Sequence, residues 1–306
     1  MSDAKAREIE GRIATGGLEL FYRAWRPAEG TRASVVIAHG LGEHGGRYGR
    51  LVDALVTRGF AASAMDHRGF GRSPGPKGHV NSWAEYRTDL GGFLDLARQA
   101  DPGVPLFLYG HSMGALIALD YALEASAERP GVPGSLPSGG SETPGGSIPD
   151  ERSLRGLILS GVPLKPVGVA KPWLVLVAKA LSRILPRTAL RPGVDAGALS
   201  RDPEVVRAYE EDPLVHRRAT ARWGVEALSA IERAKGRLPE LKLPLLVVHG
   251  GDDPLNSPEG SRLVAERAGS ADATLRIYRG VRHEPHNDLA WEAAVRDVAD
   301  WIEARL

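Results

Sequence analysis

Val104-Pro-Leu-Phe-Leu-Tyr-Gly-His-Ser-Met-Gly-Ala-Leu-Ile-Ala-Leu-Asp-Tyr-Ala-Leu-Glu-Ala125 is the stretch on which the reading of the fold turns. It opens as an apolar strand and closes as a helix, with Gly110-His-Ser-Met-Gly114 between them. That G-x-S-x-G spacing, flanked by a strand and a helix, forces a strained turn that lifts a serine hydroxyl clear of a sheet edge. A side chain at Gly110 or Gly114 would collide with a neighbouring strand or helix. The turn also sets Ser112 at a helix N-terminus, where free N–H groups favour developing negative charge. Ser112 is therefore the candidate nucleophile.

Working outward, strands and helices alternate. Ile9–Ala14 and Leu18–Trp25 flank Thr15-Gly-Gly17 as an opening hairpin. Ser34–Ala38 and Phe60–Met65 are apolar runs of the kind found in strands buried on both faces. A helix runs to about Arg58, and Trp83–Ala100 has helical spacing. After the elbow, Leu154–Ser160, Leu245–His249 and Thr274–Tyr278 read as further strands, and Trp291–Leu306 as a closing helix. This alternation implies an α/β fold, a mostly parallel sheet covered by helices on both faces. Two blocks interrupt it. In Arg129–Asp150, 15 of 22 residues are Gly, Pro or Ser, which predicts a surface insertion without chemistry of its own. From Val162 to about Pro239 only helical stretches occur, which predicts a cap over the strand ends. The expected division is a core of residues 1–161, a helical cap of 162–239, and the rest of the core in 240–306.

Composition removes several function classes. The 306 residues carry a net charge of +1 with scattered basic groups, so a nucleic-acid footprint is lacking. Without cysteine there is no thiolate nucleophile and no Cys-ligated zinc, and no H-E-x-x-H or similar spacing implies a metal. No cofactor motif was found. The polar N-terminus and short apolar runs predict a cytoplasmic protein.

A serine nucleophile needs a base and an orienting acid, which in this architecture follow it at the ends of late strands. Gly250-Gly-Asp-Asp-Pro254 offers Asp252 or Asp253, and Arg279-Gly-Val-Arg-His-Glu-Pro-His286 offers His283 or His286. Spacing alone does not choose. The other histidines read as strand ends (His39, His249), elbow (His111), structural turn (His67), or loops and solvated faces (His44, His79, His216). The oxyanion hole requires the Met113 amide, just after the serine, and one from the loop after the third strand.

His39-Gly-Leu-Gly-Glu-His-Gly-Gly-Arg-Tyr48, Asp66-His-Arg-Gly-Phe-Gly-Arg-Ser73, Gly110-His-Ser-Met-Gly114 and Gly280-Val-Arg-His-Glu284 together resemble the monoacylglycerol lipase and lysophospholipase branch of the α/β-hydrolases. The resemblance implies Asp253 as acid, His283 as base and Leu41 as the second oxyanion donor. It implies a polar pocket for the alcohol end of the ester at Glu43, Arg47 and His286, although Glu43 and Arg47 also read as a plain ion pair. The cap stretch from Trp173 to Leu185 is either core packing or, as the resemblance suggests, an acyl tunnel or membrane-touching lid. The expected activity is hydrolysis of monoacylglycerols or similar single-chain lipid esters through an acyl-enzyme, with transient membrane or micelle contact through the cap. A general carboxylesterase or lysophospholipase is the near alternative. A proline iminopeptidase-like peptidase would need a carboxylate cluster for a free amine, and a non-catalytic ligand-binding member would not need an intact triad.

Overall fold

The computed structural model describes residues 7–127, 154–168, 172–190 and 195–306. The chain enters through an antiparallel hairpin, β1 (Arg7–Thr15) and β2 (Leu18–Arg26), closed by Gly16 and Gly17 at positive φ. Six parallel strands complete the sheet, joined to the hairpin by an antiparallel pairing. These are β3 (Ala33–Ala38), β4 (Phe60–Met65), β5 (Leu106–His111), β6 (Gly156–Ser160), and later β9 (Leu245–Gly250) and β10 (Ala273–Tyr278). The order is β1-β2-β4-β3-β5-β6-β9-β10, with β2 antiparallel to β4 and every pair from β4 to β10 parallel. Every residue of β3, β5 and β9 is buried, which is why these strands read as continuous apolar runs.

Helices cover both faces. α1 (Gly49–Thr57) and α8 (Trp291–Glu303) close one, burying Leu51, Leu55, Val298 and Ile302 against Val35, Ile37 and Phe107. α2 (Ala84–Ala100) and α3 (Met113–Ala127) close the other through Leu90, Phe93, Leu116 and Leu119. α7 (Pro258–Arg267) packs between β9 and β10. Most sequence expectations match these elements to within a residue or two.

Between β6 and β9 lie α4 (Pro172–Ile184), α5 (Pro203–Glu211) and α6 (Ala221–Arg237). The block is not purely helical as expected: β7 (Ala189–Leu190) pairs antiparallel with β8 (Ala219–Thr220). Such a ladder is too short for an alternation pattern to register. α6 sends Ala227, Ala230 and Ile231 into the core cluster that also holds α3. The Gly/Pro/Ser block of 129–150 lies outside the described residues.

Candidate active site

The elbow sits where β5 meets α3, near the middle of the sheet. Ser112 has φ +52°, the only non-glycine residue at positive φ among the described residues. Its amide donates to the Ser160 carbonyl on β6 (2.8 Å), and its own carbonyl accepts from Ala115 (3.0 Å). Such a conformation persists only when its surroundings over-determine it, and is typical of functional turns. The flanking glycines show how tight the turn is. A Cβ on Gly110 would lie 2.4 Å from the Gly114 carbonyl oxygen, and one on Gly114 would lie 2.0 Å from that of Ala38.

The carboxyl ends of β9 and β10 bring the other two groups in. Asp253 Oδ2 lies 2.7 Å from His283 Nδ1, with both side chains buried. Asp253 Oδ1 accepts from the amides of Leu255 (2.8 Å) and Asn256 (3.0 Å). Asp252 is exposed, so of the two aspartates only Asp253 turns inward. Burial alone would raise the Asp253 carboxyl, but His283 and His249 beside it hold it well below the ordinary carboxylate range. Burial likewise would lower His283. Asp253, then Glu284 and Glu43, outweigh it and raise His283 above its ordinary 6.5. Ser112, Met113, Leu41 and His283 all line one cavity of about 660 Å³, within the range of ligand sites.

That cavity has two characters. Trp83, Leu116, Ala227 and Ile231 line it from one apolar cluster, while Glu43, Arg47 and Glu284 line it as a linked charged group. Glu43 is pinned by three donors: the Gly40 amide (2.6 Å), Tyr48 Oη (2.7 Å) and Arg47 Nη1. Arg47 also reaches Glu284 through both terminal nitrogens (2.7 and 2.9 Å) and stacks over Tyr209. The Glu43–Arg47 ion pair therefore exists and faces the cavity, so the two readings of these residues do not compete. Burial would raise Glu284, but Arg47 outweighs it and leaves this carboxyl far below 4.5.

His286 is placed differently from expectation. It does not line the cavity; it is 2 % exposed and stacks on Tyr48 (centroids 4.7 Å apart) behind the Glu43 wall. Burial lowers it to about 4, so it is neutral at ordinary pH. The turn after His283, with the amides of Asn287 and Asp288 both on the Glu284 carbonyl, presents Glu284 to the site instead. Sequence reasoning missed Glu284, although an acid directly after the candidate base was a visible signal. His44 and His79 lie in loops, one of the two places expected for them, but both are buried rather than solvated. His44 Nε2 bonds Asp212 (2.8 Å), and the His216 amide donates to the Gly42 carbonyl (2.9 Å). Through these contacts the segment before β8 grips the loop that carries Leu41. Trp173 falls on α4, but its side chain lies outside the described residues; Ala178 of the same helix lines the cavity. Among the described residues no cluster of three or more His, Asp or Glu is disposed to hold a metal, and no helix is long and apolar enough to cross a membrane.

This geometry can perform acyl transfer: a strained serine and a histidine hydrogen-bonded to a fixed carboxylate share one cavity with Leu41 and Met113. The family model described as serine aminopeptidase, S33, matches residues 29–134 and 147–290. A monoacylglycerol lipase of Mycolicibacterium smegmatis is 35 % identical over 292 residues, covering 95 % of each chain. The monoglyceride lipase of Homo sapiens is 33 % identical over 301 residues, covering 96 % of this chain and 89 % of that one. Among solved structures, the monoacylglycerol lipase of Paleococcus ferrophilus superposes with a TM-score of 0.78 at 32 % identity, over 94 % of this chain and 100 % of the other.

Proposed function

The chain belongs to the serine aminopeptidase S33 family of α/β-hydrolases, and we propose that it is a serine hydrolase that cleaves monoacylglycerols to fatty acid and glycerol. The observation that carries the substrate reading is the cavity that Ser112 lines, which holds both an apolar cluster and a charged group. The apolar lining suits a single acyl chain, and the carboxylates and guanidinium suit the hydroxyls of a small polyol. The relatives named monoacylglycerol or monoglyceride lipase support the same substrate.

In this reading Ser112 Oγ attacks the ester carbonyl carbon as its proton passes to His283. The oxyanion is held by the amides of Leu41 and Met113, preorganised donors of the kind whose single loss costs about 10²–10³ in rate. The imidazolium forms beside Asp253, already ionised and oriented at 2.7 Å, so little reorganisation accompanies charge formation. His283 then returns the proton to the departing alcohol oxygen. Water enters, loses a proton to His283, and releases the fatty acid by the same steps. The block of 162–239 acts as the cap that encloses the acyl chain. Ile184 (78 % exposed) and Leu185 (56 %), at the end of α4, are its points of contact with a lipid surface.

Hydrolysis rates across a monoacylglycerol, the ethyl ester of the same acid, a lysophospholipid and a proline amide test this directly. The monoacylglycerol should show the highest kcat/KM, and Ser112→Ala should lower it by at least about a thousandfold with the fold intact. Fastest cleavage of the proline amide would replace the lipase reading with a peptidase.

A further inference from the structure

We propose that His249 is a positioning residue for the Asp253–His283 pair, acting as a second imidazole on the same carboxylate oxygen. This inference rests on the hydrolase reading above. His249 is the penultimate residue of β9 and is fully buried. Its Nε2 lies 3.0 Å from Asp253 Oδ2 and 2.9 Å from the Asn256 carbonyl oxygen. Its Nδ1 lies 2.6 Å from the hydroxyl of Ser261 on α7. Both neighbours of Nε2 are acceptors that bring no proton, so Nε2 must carry one and share it between them. The Ser261 hydroxyl is then free to donate to Nδ1, which fixes the tautomer and the ring plane.

Asp253 Oδ2 thus receives two imidazole N–H groups, from His283 at 2.7 Å and His249 at 3.0 Å, while Oδ1 receives two backbone amides. Two effects follow. The carboxylate cannot rotate away from His283, because all four donors would have to be broken together. The second donor also draws charge from Oδ2, so the attraction holding a proton on His283 is weaker than a lone Asp–His pair would give. His249 therefore moves the base toward its neutral, proton-accepting form. Anchoring the 250–256 turn is the bland role for this ring. The Nε2–Asn256 bond would do that without any approach to Asp253. The other groups that act electrostatically on His283 are Glu284, Glu43, His111 and His286, with Arg47 paired to both glutamates; none touches His249.

The test uses the full chain and an activated aryl ester, whose cleavage needs the triad but not the polyol pocket, with Ser112→Ala as blank. If wild type does not cleave that ester above the blank, the hydrolase reading itself fails. Given wild-type activity, His249→Phe removes the donor and keeps the ring volume. It should lower kcat about tenfold, the scale of one hydrogen bond to a charged group, with KM within about twofold. The acid limb of the pH–rate profile should move to higher pH. His249→Gln, whose amide can donate to the same oxygen, should restore both. An unmoved limb with an equal loss at every pH, or the same defect in Gln and Phe, overturns the proposal. Should His249→Phe fail to fold, Ser261→Ala releases Nδ1 and should move the limb the same way by a smaller amount; an unchanged profile there also overturns it.

Discussion

Arg47→Met leaves two buried carboxylates, Glu43 (2 % exposed) and Glu284 (1 %), without the cation that lies between them. Methionine fills much of the arginine stem, so the perturbation is one of charge rather than of volume. Breaking a buried ion pair by removing one partner costs about 3–5 kcal/mol, because the remaining charge is desolvated and unpaired. For 306 residues, unfolding entropy near the midpoint is about 0.6 kcal/mol per degree. The variant should therefore melt about 5–8 °C below wild type at pH 8. The sign of the pH dependence follows from Glu284. In wild type Arg47 holds its carboxyl below the ordinary 4.5, so it contributes stability above that value, lost as pH falls through the folded one. In the variant burial meets only the Asn287 hydrogen bond and the weaker fields of His286 and His111. The folded carboxyl therefore rises above its unfolded value, and protonation relieves the defect at low pH. Thermal melts at pH 5 and pH 8 should show the difference between wild type and variant shrinking at pH 5. A drop below about 2 °C, or one equal at both pH values, would refute the idea that this triad is an ionised buried network.

Three further outcomes are expected. Gly42 has φ +83°, and a Cβ there would lie 2.7 Å from the His216 carbonyl oxygen; Gly42→Ala should displace the Leu41 loop and lower kcat at least about tenfold with little change in melting temperature, whereas near-normal kcat would remove this loop from the oxyanion hole. Glu284→Gln takes away one carboxylate that favours protonated His283, so the acid limb of kcat/KM should move to lower pH; a shift upward would contradict that assignment. Ile184→Asp with Leu185→Asp should reduce co-sedimentation with phosphatidylcholine vesicles while leaving hydrolysis of a water-soluble ester unchanged, and undiminished co-sedimentation would place any lipid contact elsewhere.

How much of this was legible in the sequence follows from the distance over which each constraint acts. The elbow was legible because its demands are local. Gly110 and Gly114 are required within one turn, and the Ala38 carbonyl that forbids a Cβ on Gly114 belongs to the next strand of the sheet. The late strands were legible as apolar runs, but Asp252 and Asp253 differ only in which way one turn points. That direction is set by the amides of Leu255 and Asn256 closing on Asp253. Glu284 was passed over because the partner that gives it meaning, Arg47, lies 237 residues away. His286 was drawn toward the site by its spacing from His283, yet Tyr48 offers it a buried stacking face behind the wall. His249 was read as a strand end, which it is. What makes it more than that is the meeting of a β9 carboxyl end, the 250–256 turn and the first half of α7 at one imidazole ring. No one of these segments by itself names the ring's partners. A histidine at the end of a buried strand therefore acquires a role only when the fold puts acceptors on one ring nitrogen and a hydroxyl on the other, and here it does both.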